Sequence, residues 1–138
     1  LDSVQAIVAN RLLPSLEEIT ERRIANAAAY DRHLAGIPGI RVPHRPPEDR
    51  CVYHLYIVFA DRRDALLEHC IANGIEAKVH YPIPLYQQRG LRHLGYVPGQ
   101  FPVTDRHAAE MITFPADQYI TEDQISYVAD VVGAFYRA

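Results

Sequence analysis

The sequence predicts a small α+β domain in which a few short strands are covered by helices. Three observations predict it: apolar residues at helical spacing near the N-terminus, alternating side chains from Cys51 to Phe59, and a capped apolar helix near the C-terminus. The 138 residues, 49% of them hydrophobic, suffice for one domain with its own core. We therefore treat residues 1–138 as a single domain.

The first predicted element is one very long helix, or two helices in line. Its apolar stripe comprises Val4, Ile7, Val8, Leu12, Leu16, Ile19, Ile24, Tyr30 and Leu34. Pro14 removes an internal hydrogen bond and should kink or split the helix, which the segment from Gly36 to Gly39 should end. The chain begins at Leu1, without a methionine and with no evident helix cap. We expect it to be the C-terminal part of a longer protein.

The clearest predicted strand runs from Cys51 to Phe59, and its two largely apolar faces favour a central position. His54 is its polar exception, and we interpret it as a core histidine with one satisfied nitrogen. Asp61 is expected to cap the following helix, and Gly74 to end that helix in the left-handed conformation. Residues 75–79 then form the next predicted strand.

Two further helices are predicted in the C-terminal half. Pro102 is suited to the first turn of a helix that we expect to continue through Met111 and Ile112. Thr121 and Gln124 have the spacing of a capping box, in which each side chain bonds the backbone N–H of the other residue. The apolar periodicity that follows predicts an amphipathic last helix.

The segment from Lys78 to Leu85 is the candidate binding site. His80 and Tyr81 end a predicted strand, and the two prolines that follow should hold them in a stiff turn. Polar side chains on a rigid scaffold often bind ligands. The alternative is structural: Tyr81 packs its ring under the turn and His80 makes one hydrogen bond. Lys78, the only lysine, shares the strand face of His80 and either binds an anion or is a solvated edge residue.

Composition argues against several other classes of function. The net charge of −3 provides no basic field for nucleic acid or anionic lipid, and no apolar run approaches the roughly 20 residues of a membrane span. The histidines lack metal-ligand spacing, so no metal site is predicted. Cys51 and Cys70 are expected to be buried small hydrophobes, which fits a reducing, cytoplasmic setting. The residues alone support a binding half-site and not a complete active site.

Motifs along nearly the whole chain resemble the DegT/DnrJ/EryC1/StrS sugar aminotransferases. The matching stretches are Leu1 to Ala6; Glu21-Arg22-Arg23 with Tyr30 and Leu34; Val52 to Tyr56; Gly74-Ile75 with His80-Tyr81-Pro82 and Pro84; and Leu94-Gly95-Tyr96 with Gly99 and Phe101-Pro102. Two positions depart from the family pattern, which usually has histidine in place of Tyr86 and aspartate in place of Gln100.

The resemblance implies the small C-terminal domain of a fold-type-I aminotransferase, with a short, mostly antiparallel sheet covered by helices and a long N-terminal helix. It implies a cytoplasmic homodimer that moves an amino group from an amino acid, typically glutamate, to a keto group of a nucleotide-linked sugar. His80 and Tyr81 would touch the sugar or its diphosphate.

The resemblance also implies pyridoxal phosphate as the cofactor of the full-length protein. Lys78 stands at a variable position of the family, so the Schiff-base lysine is missing from these residues and no catalytic residue is assigned. We expect the 138 residues alone to bind no cofactor and to be inactive. Two alternatives stay open, a stand-alone α+β ligand-binding module and an interaction domain that dimerises through the long first helix.

Overall fold

Two successive helices begin the computed structural model, which describes residues 2–138. Helices α1 (Ser3–Leu12) and α2 (Leu16–Leu34) are separated by a 3₁₀ turn that contains Pro14, which confirms the predicted split. The prediction that nothing caps the first helix was wrong. The Asp2 carboxylate accepts from the Gln5 N–H (2.8 Å) and the Gln5 amide oxygen accepts from the Asp2 N–H (3.1 Å), an Asp-initiated capping box.

The sheet has three short antiparallel strands, as the fold class predicted. They are β1 (Ile40–Arg41), β2 (Tyr56–Ala60) and β3 (Met111–Phe114), in the order β1-β2-β3. β2 is therefore the central strand, and its register places Ile40 opposite Ala60 and Tyr56 opposite Phe114.

Helices α3 (Arg63–Ala72), α4 (Pro102–Glu110) and α5 (Glu122–Arg137) complete the domain. The buried face of β2 packs toward α2, where the rings of Tyr30 and Tyr56 stack with centroids 4.6 Å apart. On the other, half-buried face, Phe59 stacks on His107 of α4 at 4.4 Å. None of the helices in residues 2–138 combines the length and apolar composition needed to cross a membrane.

Two predicted strands are shorter than the alternating pattern indicated. The strand expected from Cys51 begins only at Tyr56, because Tyr53 has a φ of 47° and breaks the extended backbone. Of the strand expected over residues 75–79, only a single bridge between Lys78 and Thr113 forms. There the Ala77 N–H bonds the Ile75 carbonyl oxygen (2.8 Å), which bends the chain after Gly74.

Four predictions at helix ends have different outcomes. Gly74 adopts the expected left-handed conformation (φ 74°), and the capping box of Thr121 and Gln124 is present. Asp61 caps nothing, since the N-cap of α3 is Arg62 in a left-handed conformation. The helix that begins at Pro102 ends at Glu110, and Met111 and Ile112 lie in β3 instead.

Two burial predictions were also wrong. His54 is exposed and not a core histidine, because it lies in the irregular segment before β2. Cys51 is exposed for the same reason, whereas Cys70 is buried in α3 as predicted. Burial raises the pKa of the Cys70 thiol to about 11.

Candidate functional site

A polar pocket of about 250 Å³ lies where the segment after Gly74 meets β3. Arg23, His54, Lys78, His80 and Thr113 contribute to its lining. The structure thus brings together two of the three predicted site residues, Lys78 and His80. They approach β3 through the bridge, in which the backbones of Lys78 and Thr113 exchange two hydrogen bonds of 3.0 and 2.9 Å.

Thr113 fixes the orientation of His80. Its hydroxyl lies 3.0 Å from the Lys78 carbonyl oxygen, which can only accept, and 2.8 Å from Nδ1 of His80. Because the one hydroxyl proton goes to the carbonyl, Nδ1 of His80 must donate to the hydroxyl oxygen. We assign the Nδ1–H tautomer to the neutral ring on this basis, which leaves Nε2 without that proton and able to accept.

Lys78 lies at the rim of the pocket. Its side chain is 57% exposed, and its Nζ lies 2.5 Å from the Glu76 carboxylate. The hydrogen bond and charge of Lys78 hold the pKa of Glu76 below its usual range. Lys78 is therefore an exposed edge lysine with one carboxylate neighbour, accessible to a ligand that enters the pocket.

Arg23 is a residue of this pocket that sequence reasoning missed. The sequence places it in a run of charged residues from 17 to 23, a pattern typical of a solvated helix face. In the structure it is half-buried, and its Nη1 donates to the carbonyl oxygens of Tyr53 (2.8 Å) and, more weakly, His54 (3.4 Å). One signal in the sequence was available: Arg22 and Arg23 are adjacent. Because adjacent residues of a helix point about 100° apart, the two cannot both lie at the centre of one solvated face.

Tyr81 lies on a different surface from the pocket. It has a φ of 59°, unusual for a residue before proline, and its side chain is 74% exposed. The alternative in which its ring packs under the turn is therefore wrong. Tyr81 borders a second, mainly apolar depression of about 270 Å³ with Ile83, His107 and Met111. The ring centroids of His80 and Tyr81 are 6.2 Å apart.

The loop after this turn has its own small aromatic cluster. The rings of Tyr86, Tyr96 and Phe101 pack together, with centroids 4.8 to 6.4 Å apart. Asp105 of α4 holds them: it accepts from the Tyr86 hydroxyl and, at 2.9 Å, from the backbone N–H of Gly99. Tyr86, where the family usually has histidine, thus has a structural role in this loop.

The chemistry available in the pocket is recognition of polar, oxygen-rich groups. It offers guanidinium, ammonium and imidazole groups, and no group of three or more potential metal ligands occurs among residues 2–138. The Thr113 hydroxyl lies beside His80, but its proton goes to the Lys78 carbonyl oxygen and Nδ1–H of His80 donates to it, so the histidine cannot act as its general base. The geometry fits binding and orientation of a substrate.

Comparison with known proteins identifies the family of the chain. The model of the DegT/DnrJ/EryC1/StrS aminotransferase family matches residues 1–133. The chain is 34% identical over 132 residues to dTDP-3-amino-3,4,6-trideoxy-alpha-D-glucose transaminase of Streptomyces venezuelae, covering 96% of the chain and 35% of the relative. It is 29% identical over 132 residues to UDP-N-acetyl-3-dehydro-alpha-D-glucosamine 3-aminotransferase of Acidithiobacillus ferrooxidans, again covering 96% and 35%.

Solved structures agree with the sequence matches. S. venezuelae DesV, crystallised with a ketimine intermediate, superposes with a TM-score of 0.94 at 33% identity, covering 100% of the chain and 37% of DesV. A Brucella abortus aminotransferase superposes with a TM-score of 0.91 at 28% identity, covering 100% of the chain and 36% of that protein. The chain thus spans little more than a third of these relatives. Its sequence and its fold agree that it belongs to the DegT/DnrJ/EryC1/StrS aminotransferase family.

Proposed function

We propose that this chain is the C-terminal, substrate-cleft part of a longer aminotransferase. The whole enzyme would move an amino group from an amino acid, with glutamate the expected donor, to a keto group of a nucleotide-linked sugar. The observation that carries this proposal is the superposition of the whole chain on 37% of DesV. The sequence relatives of the chain include dTDP-sugar and UDP-sugar aminotransferases.

The site residues divide the task of holding the sugar nucleotide. His80 presents Nε2, which accepts a hydrogen bond from a sugar hydroxyl when neutral and donates one to a phosphate when protonated. Tyr81, an exposed residue, offers its hydroxyl on the other side of the turn. Lys78 adds positive charge at the rim of the pocket. Their contribution is binding and orientation, which raise the rate by holding the reacting groups together.

Pyridoxal phosphate is the cofactor proposed for the whole enzyme, but the residues of this chain do not fit it. A cofactor-bearing lysine needs a shielded site, whereas Lys78 is over half exposed and ion-paired to Glu76. In the proposed enzyme the lysine that bears the cofactor therefore lies outside these 138 residues.

We further propose that the enzyme is a cytoplasmic homodimer. Side chains of the predicted apolar stripe on α1 are exposed in the isolated chain, with Val4 at 70% and Ile7 at 68%, and suit contact with other parts of the assembly. The same stripe favours the second candidate, an interaction domain that dimerises through α1 without catalysis.

An activity assay separates the two candidates. We expect the longer protein to convert glutamate and a nucleotide-linked ketosugar to 2-oxoglutarate and the aminosugar, and the purified 138-residue chain to convert neither. Amino transfer by the 138-residue chain alone would contradict the proposed division of the enzyme. Absence of transfer by the longer protein, with α1-dependent dimerisation of the chain, would favour the interaction domain.

A further inference from the structure

The guanidinium of Arg23 differs in its surroundings from the other half-buried arginines of the chain. Three arginines are half-buried in residues 2–138, and two of them bind carboxylates: Arg45 lies 2.9 Å from Asp31 and Arg63 lies 2.6 Å from Asp64. Arg23 has no carboxylate oxygen within 4.0 Å in the described part of the chain. A partly desolvated cation without a counter-ion is costly unless a ligand supplies one.

Only part of that guanidinium is used by the fold. Nη1 donates to the carbonyl oxygens of Tyr53 and His54, and across residues 2–138 neither Nη2 nor Nε makes a hydrogen bond. All buried side-chain nitrogens and oxygens described have partners, so these free donors of Arg23 are accessible. Two planar N–H groups on one guanidinium match the oxygens of a carboxylate or a phosphate.

The same carbonyl contacts position His54. Tyr53 has a left-handed backbone that a non-glycine residue adopts only when its surroundings enforce it, and Arg23 binds its carbonyl oxygen. The next residue, His54, is thereby exposed at the pocket wall beside Arg23, with Lys78 and His80 also lining the pocket. Four side chains that are positively charged, or become so on protonation, thus converge on about 250 Å³.

The acidic groups in the same pocket are already engaged. Glu76 pairs with Lys78 at 2.5 Å. Oδ1 of Asp117 accepts from the backbone N–H groups of Tyr119 (2.6 Å) and Ile120 (3.1 Å), so this oxygen is engaged within its own turn. Arg23 is the cation of this pocket that has no carboxylate oxygen within 4.0 Å among residues 2–138.

We propose that Arg23 and His54, with Lys78 and His80, form a subsite for an oxyanion, in which Arg23 binds the anion directly and holds His54 in place. The ligand class is a carboxylate or phosphoryl group small enough for the pocket. The choice between these two ligand groups rests on the proposed function, because the proposed enzyme handles both a donor carboxylate and a sugar-linked diphosphate. The existence of the subsite does not rest on the proposed function.

Calorimetric titration of the full-length protein with pyrophosphate and, separately, with glutarate tests the subsite at fixed ionic strength. We expect at least one anion to bind, and Arg23→Gln to weaken that binding about tenfold or more. The matched control is Arg22→Gln, which removes the same charge from the adjacent position, where Arg22 is exposed and paired with Glu18. Tighter binding of pyrophosphate identifies the diphosphate as the ligand group. Tighter binding of glutarate would identify the donor carboxylate and would contradict the assignment of His80 to the sugar acceptor.

A second variant keeps the test decisive if Arg23→Gln fails to fold for want of its carbonyl contacts. Lys78→Gln changes an exposed rim residue and should weaken the same anion several-fold. Equal losses in Arg22→Gln and Arg23→Gln, unchanged affinity in Lys78→Gln, or no binding of either anion would overturn the subsite. Anion binding without amino transfer would refute only the proposed function.

Discussion

At the scale of single residues, Thr113 determines what His80 presents to a ligand. One hydroxyl proton serves the Lys78 carbonyl, so the lone pair of the hydroxyl receives Nδ1–H of His80. Thr113 is buried in β3, so its hydroxyl has little freedom to move and holds the His80 ring in a fixed position relative to the strand. The sequence indicates His80 by its place before two prolines, but nothing in it indicates the threonine 33 residues later.

The site residues that were predicted are close together in the sequence, whereas those that were missed depend on contacts between distant residues. Lys78 and His80 could be paired because their spacing is local. Arg23 and His54 enter the pocket through a hydrogen bond between residues 30 positions apart, Arg23 and Tyr53. Such a contact depends on how α2 packs beside the segment before β2, which periodicity does not encode.

Gly39 provides a test of packing at this scale. A Cβ at this position would clash with Cε1 of Tyr136, whereas one at Gly36 would have no atom within 4 Å; both glycines have a φ of 78°. We expect Gly39→Ala to lower the free energy of unfolding by roughly 1–3 kcal/mol more than Gly36→Ala, because only the former adds a steric clash to the backbone strain. Denaturant unfolding of both variants measures the difference, and equal losses would show that the Tyr136 ring moves aside freely.

At the scale of elements, the sequence predicts helices better than it predicts strands. Pro14, Gly74 and the capping box at Thr121 mark their boundaries chemically, and the structure confirms each. The predicted strands at 51–59 and 75–79 show alternation, but alternation persists in irregular segments whose side chains still alternate between core and solvent. The end of α4 was missed because Met111 and Ile112 suit either a helix or a buried strand.

Asp105 is expected to control the order of residues 85–101. Its carboxylate binds the Tyr86 hydroxyl, the Gln87 amide (3.0 Å) and the Gly99 N–H, while most side chains of this segment are exposed. Asp105→Ala should therefore increase amide exchange locally, with little effect on α5. Hydrogen exchange resolved by peptide measures this. Asp130→Ala, an exposed site on α5, is the control. Unchanged exchange in residues 85–101 would show that the aromatic cluster suffices.

At the scale of the whole molecule, buried phenols and a buried thiol link stability to pH. Burial, and then the charge of Asp117, raises the pKa of Tyr30; burial, and then its hydrogen bond to Asp31, raises the pKa of Tyr56. Burial likewise raises the pKa of Cys70 to about 11. In the unfolded chain these three groups lose their protons at pH values near 8.5–10. In the folded protein they stay protonated at the same pH values. Their contribution to stability is complete below that range and is lost as pH rises.

We therefore expect the free energy of unfolding to fall above about pH 9, by up to roughly 1.4 kcal/mol per pH unit for each group once its unfolded form is ionised. Urea unfolding at pH 8, 9, 10 and 11 measures the slope. Tyr56→Phe should lower stability at pH 8, through loss of the bond to Asp31, and should flatten the slope above pH 10. Stability that stays constant from pH 8 to pH 11 would contradict the burial of these groups.

The whole domain presents His80 and Tyr81 at one turn, and our central proposal is that this turn serves the sugar acceptor and not the amino donor. In the full-length enzyme the two half-reactions can be measured separately, with glutamate alone and with the nucleotide-linked sugar. His80→Ala and Tyr81→Phe remove hydrogen-bonding groups that we propose to contact the sugar nucleotide, and His44→Ala, at an exposed loop position, serves as the control.

Single-turnover rates for both half-reactions in these variants are the most direct test. We predict that the rate with glutamate stays unchanged, while the reaction with the sugar loses roughly 1–3 kcal/mol of transition-state stabilisation for each hydrogen bond to a charged phosphate. Equal losses in both half-reactions would show that the two residues only support the fold. Unchanged rates in both would show that the turn does not touch the substrate, and either result would contradict the proposal.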